Sequence, residues 1–161
     1  MSVEQFGLIT DRDANDVARW ENLRDKGFAQ MTTAERTEWA KPMKGAYNYT
    51  DLNRVGAALN YVRSRLVEYS YLPANAFTAR VDWAVGEIPT LEDLTKYLGY
   101  VSTVRQALAQ LPTTPPAPPF AWRLNYRDAN DIERIIQDVD MLVTNMVSAW
   151  YFSGDLYCGE V

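Results

Sequence analysis

The side chains of this 161-residue chain best suited to chemistry are carboxylates in close company: Asp13 with Asp16, Asp128 with Asp131, and further along Glu133, Asp138 and Asp140. Two carboxylates roughly 5 to 10 Å apart, one of them with a raised pKa, are what glycoside hydrolysis requires. The same acids suit a hard cation, yet no Asp-x-Asp-x-Asp-Gly loop is present to wrap one. Histidine is absent, which removes the ordinary proton shuttle near neutral pH, the usual base of a Ser or Cys triad and the commonest metal ligand. The sole cysteine, Cys158, has no partner for a disulfide within the chain. No catalytic, metal-ligating or cofactor-binding residue is assigned on this basis. Acids in a first helical turn are accounted for by capping, and those further along by a solvated helix face.

A repeated pattern positions these acids. The chain reads Thr10-x-x-Asp13-Ala14-Asn15, then Asn48-x-x-Asp51-Leu52-Asn53, then Asn125-x-x-Asp128-Ala129-Asn130, with Thr90-x-x-Asp93-Leu94 as a weaker echo. Each is expected to start a helix: a Thr or Asn oxygen accepts a free N–H of the first turn, and the acid three residues on reaches back. Asn15, Asn53 and Asn130 stand two residues past the acid, where capping does not explain them and Asn is a poor helix former. Each is expected to bond a neighbouring loop or an adjacent helix start, with partner binding as the functional alternative. The four acids are separated by 38, 42 and 35 residues, but the sequences between them do not repeat. Convergent capping is preferred over duplication.

These starts organise an all-α chain, a bundle of about four to five capped helices in a single domain spanning 1–161. The first helix ends near Gly27, and Thr32-Thr33-Ala34-Glu35 opens a short one with Trp39 that stops before Pro42. From Asn48, Leu52, Val55, Leu59, Val62 and Leu66 alternate at spacings of three and four, one face of a core helix. Residues 75–89 read as irregular, anchored by Trp83. From Thr90, Leu91, Leu94, Leu98 and Val101 mark a helix that runs to Pro112. Five prolines between 112 and 119 favour a stiff polyproline II spacer. The most regular stripe follows, through Ala129, Ile132, Ile136, Val139, Val143, Met146 and Trp150. Residues 151–161 are expected to be an extended C-terminal tail.

Lys and Arg number 16 against 21 Asp and Glu, a net charge of −5 with no basic cluster, so a nucleic-acid footprint is not supported. No stretch approaches the roughly 20 apolar residues of a membrane span, and MSVEQFGLITDRD lacks the build of a signal peptide, so membrane insertion is not expected. Tyr and Trp are plentiful, and Trp150-Tyr151-Phe152 with Leu156 and Tyr157 is the candidate interface, because three adjacent aromatics cannot share one helix face.

In the segments KGAYNYTDLNRV (44–55), YRDANDIE (126–133) and AWYFSGDLYCGE (149–160), the chain resembles structural proteins of the tail modules of phages and prophages of Gram-positive bacteria. The resemblance implies a virion component of the tail or baseplate, made in the host cytoplasm. Its partners would be other tail proteins or further copies of itself. It carries over no catalytic residues. Two alternatives are a phage-encoded binder that inhibits a host factor and a carboxylate-dependent cell-wall hydrolase.

Overall fold

The computed structural model describes residues 2–154, with side chains as far as Trp150. Among these the chain is all-α: α1 (Ala14–Lys26), α2 (Thr33–Trp39), α3 (Tyr49–Glu68), α4 (Leu91–Gln106) and α5 (Tyr126–Gly154), with three short 3-10 turns and no strand. Thr32 with Glu35, Asn48 with Asp51, and Thr90 with Asp93 form reciprocal capping boxes at α2, α3 and α4. At α5, Asn125 Oδ1 accepts the Arg127 amide at 2.8 Å and the Asp128 carboxylate accepts the Asn125 amide at 2.8 Å.

At α1 the register differs from expectation. Asp13, not Thr10, is the N-cap, and its reciprocal partner is Asp16. Asp is the stronger cap of the two, and an acid again follows three residues later, so the helix starts one turn downstream. Two further boundaries move. Helix α4 ends at Gln106, short of Pro112. Helix α5 runs on through Trp150 to Gly154 rather than giving way to an extended tail at 151, since no helix breaker precedes that glycine.

The core lies where α3, α4 and α5 meet. Val55, Leu59, Val62 and Leu66 of α3 face Leu98, Val101 and Val104 of α4 and Ile132, Ile135, Ile136, Val139 and Val143 of α5, all buried. Each such side chain contributes about 1.5–3 kcal/mol by leaving water. On α4 the buried stripe is Tyr97, Leu98, Val101 and Val104, whereas Leu91 is 58% exposed. Helices α1 and α2 make a satellite with its own small centre, where Leu23 and Met31 are buried and the Trp20 and Trp39 rings stack at 6.5 Å. The proline-rich stretch is docked rather than free-standing. Thr114 and Pro118 are buried, Thr114 Oγ1 donates to Asp138 at 2.6 Å, and Arg105 Nε donates to the Pro115 carbonyl at 2.6 Å.

Two irregular segments are laid along helices as straps, each running opposite to its helix. Residues 3–12 follow α5: the Val3 amide donates to Asp140 Oδ2 at 3.0 Å, the Ile9 amide to Glu133 Oε2 at 2.6 Å, and Arg12 exchanges both backbone bonds with the Asn130 amide at 3.0 and 2.9 Å. Residues 77–83 follow α3. Arg63 donates to the Phe77 carbonyl at 2.5 Å, Asn60 exchanges both bonds with Ala79 at 2.8 Å, and Asn53 does so with Trp83 at 2.9 and 2.8 Å. From Asn60 to Asn53 the helix advances about 10 Å, and four residues of near-extended chain span about 13 Å, so the registers match. Gly56 lets the strap lie flat, since a Cβ there would sit 2.5 Å from the Arg80 carbonyl oxygen.

Candidate functional site

The starts of α3, α4 and α5 surround an open cleft of about 560 Å³. Its walls are Tyr47 and Leu52 on the α3 side, Leu94 and Tyr97 on α4, and Ala129 and Ile132 on α5. Tyr49, Ile88 and Tyr126 also line it, and Ile88 is 87% exposed, which places that side chain at the rim. The N-caps Asn48 and Asn125 line the cleft as well, so two helix N-termini open on it.

An ionic network that crosses three elements backs the wall, and its Arg12 lines the cleft. Arg12 donates to Asp51 at 3.2 Å and to Glu133 at 2.8 Å, and Arg54 donates to Asp51 at 2.8 Å and to Glu133 at 2.9 Å. Arg12, Asp51 and Glu133 are all at most 5% exposed. Two guanidiniums face two carboxylates, so the charge balances, and the bonds to several acceptors offset part of the large cost of burying ions. Burial pushes the Glu133 carboxyl above its ordinary range, outweighing the lowering effect of Arg12, the Ile9 amide and Arg54. The Arg12 guanidinium also lies over the Tyr47 ring, 5.4 Å from its centroid.

Tyr47 and Tyr97 share a hydroxyl–hydroxyl bond of 2.6 Å on the cleft wall. Tyr97 is 9% exposed. Tyr47 is 38% exposed along its ring, but its hydroxyl is turned inward onto Tyr97. Both phenols are raised well above their ordinary range, first by burial, with the charges of Glu133 and Asp51 adding to it. They stay protonated at neutral pH and act as hydrogen-bonding groups in a largely apolar wall. Lys44, also on the cleft, pairs with Asp11 at 2.8 Å.

The sequence pattern divides between these features. Asn48 and Asn125 reach the cleft, Asp51 is in the ionic network, and Asn53 and Asn130 each clasp a strap. Asn15 bonds its own cap, Asp13, on the exposed start of α1 and, among the described residues, no strap. Thr90 and Asp93 cap each other at the surface, and Asp128 serves the start of α5. Trp150 packs edge-on against Tyr69, with centroids 5.6 Å apart. It stands 24 residues along α5 from Tyr126, about 36 Å from the cleft. Tyr151 and Phe152 are in α5, and Leu156 and Tyr157 lie outside the described residues.

Glu133, Asp138 and Asp140 are not on a solvated face. All three are buried and hold the strap or the proline-rich segment. Glu133 and Asp140 sit seven residues apart beside the Ile132 and Val139 stripe, and that heptad spacing was the available signal. Among the described residues, no group of three or more His, Cys, Asp or Glu is placed to hold a metal ion, and no helix is long and apolar enough to cross a membrane. No family model, curated protein or solved structure matches the chain.

Proposed function

We propose that this chain is an assembly subunit of a phage tail or baseplate, working by holding a partner's apolar side chains in the cleft between the starts of α3, α4 and α5. The observation that carries the reading is the cleft itself: an open, largely apolar and aromatic concavity whose nearest charges are already paired with one another. Burying an apolar anchor in such a site contributes about 25 cal/mol per Å² removed from water, and Tyr-walled pockets are where binding energy concentrates. The strap and ionic network hold the walls in place before a partner arrives, which lowers the ordering cost of binding. The tail context comes from the resemblance of residues 44–55, 126–133 and 149–160.

Mass spectrometry of purified particles from the phage or induced prophage that encodes the chain tests this. The expected result is a fixed copy number per particle, lost when the rim is made polar by Ile88→Asp. A chain abundant in infected cells but absent from particles overturns the virion role and favours a binder of a host factor.

A further inference from the structure

We infer that the cleft receives residues 155–158, Asp-Leu-Tyr-Cys, of a second copy of this chain, so that copies join head to tail. The inference rests on the reading of the cleft as a partner site and names its occupant.

Reach supplies the first argument. Helix α5 begins at the cleft, where Tyr126, Ala129 and Ile132 line it, and its last described residue is Gly154. From Ile132 to Gly154 the helix travels 22 residues, about 33 Å. Leu156 and Tyr157 follow Gly154 by at most three residues, about 10 Å of extended chain. The segment cannot fold back into its own cleft, so a copy of it in that cleft belongs to another molecule.

Chemistry supplies the second. Leu156 and Tyr157 are adjacent apolar and aromatic groups, matched to walls of Leu52, Leu94, Tyr47 and Tyr97. A cleft of about 560 Å³ falls within the range that encloses compact ligands and has room for both side chains. The flanking Asp155 and Glu160 are the only charged residues of 155–161. They would approach the N-termini of α3 and α5 and the amine of Lys44, which is shared with Asp11, while Glu87, which also lines the cleft, is paired with Arg80. A contact between two different surfaces is heterologous: repeated, it closes into a ring or continues as a filament, the forms a tail is built from.

The single native cysteine, Cys158, makes the test direct. Two chains are mixed under mild oxidation: the unaltered protein, with its thiol only in the segment, and an Ile88→Cys/Cys158→Ser variant, with its thiol only at the rim. Disulfide-linked mixed dimers are expected to exceed both homodimers at least fivefold. Replacing Ile88→Cys by Phe28→Cys, past the end of α1 opposite the cleft-lining Val17, should return the mixture to chance proportions. Mixed dimers at chance level with Ile88→Cys overturn the inference. Light scattering gives an independent reading: the unaltered chain should gain mass with concentration, and Leu156→Asp/Tyr157→Asp should weaken association at least tenfold. A chain that stays monomeric yet is present in particles at fixed copy number removes this occupant and leaves the proposed function standing. A chain that is monomeric and absent from particles removes both.

Discussion

The two straps solve one packing problem with different chemistry. Along α3, residues 77–83 are held by Asn53, Asn60 and Arg63, with Gly56 making room for the backbone. Along α5, residues 3–12 are held by Asn130, Glu133 and Asp140. Shifted by 77 residues, Asn53 falls on Asn130, Gly56 on Glu133 and Arg63 on Asp140. The corresponding positions do corresponding work, but one site has no side chain where the other has a buried carboxylate. The α3 strap joins neighbours in sequence through mostly neutral amides. The α5 strap joins residues 118 to 137 apart and recruits Arg12, Asp51 and Arg54, so it also locks α3 to α5. Neutral clasps fix a loop locally, whereas a charged clasp ties the whole bundle and depends on every member being present.

The sharpest way to break the contrast is to remove the charged member. Glu133→Ala leaves Arg12 buried with only Asp51 as a carboxylate partner and the Ile9 amide without its acceptor. The expected loss is about 3–5 kcal/mol in denaturant unfolding. On the α3 strap, Gly56→Ala drives a Cβ to within 2.5 Å of the Arg80 carbonyl oxygen, with an expected cost of about 1–3 kcal/mol. The control is Gly99→Ala in α4, where nothing lies within 4 Å and Ala should gain about 0.5–1 kcal/mol by helix propensity.

Removing one neutral clasp is milder. Asn53→Ala or Asn60→Ala should each cost about 1–2 kcal/mol and, by amide exchange, expose Trp83 or Ala79 without loosening Ile9. The smallest effect is with pH. Glu87, beyond the α3 strap, is held below its ordinary value of 4.5, first by the Ala84 amide and then by Arg80. Its contribution is present above that value and is lost as pH falls through the lowered one. Glu133 is raised, so its contribution has the opposite sign: fully present below the ordinary range and lost as pH rises through the raised value. On acidification below pH 4.5, Ala84 should lose exchange protection before Ile9 does; the reverse order would contradict the assignment.

The helices were legible because their signals are local. The boxes at Thr32, Asn48 and Thr90 lie within four residues of sequence, and the α3 and α5 stripes repeat at helical spacing. Thr10 misled because Asp13 and Asp16 form an overlapping, better box one turn on. The straps were not legible. Residues 3–12 and 77–83 carry no periodicity, and what holds them is side chain to backbone, which composition does not record. The need of Asn53 and Asn130 for partners could be read, but not which backbone would supply them. The cleft joins Tyr47, Tyr97 and Ile132, residues from three helices' neighbourhoods that no local pattern links.

The long span of the α5 strap sets an order of events at the ribosome. Arg12 leaves the exit tunnel well before Asn130 and Glu133, its partners 118 and 121 residues later. At about 5–20 residues per second, that interval is roughly 6–24 s. Through it, Val3, Phe6 and Leu8 have no α5 to cover them, and Asp51 and Arg54 wait with half a network. Residues 3–12 are made well before α5 and are locked only with it, so the bundle closes as that helix emerges.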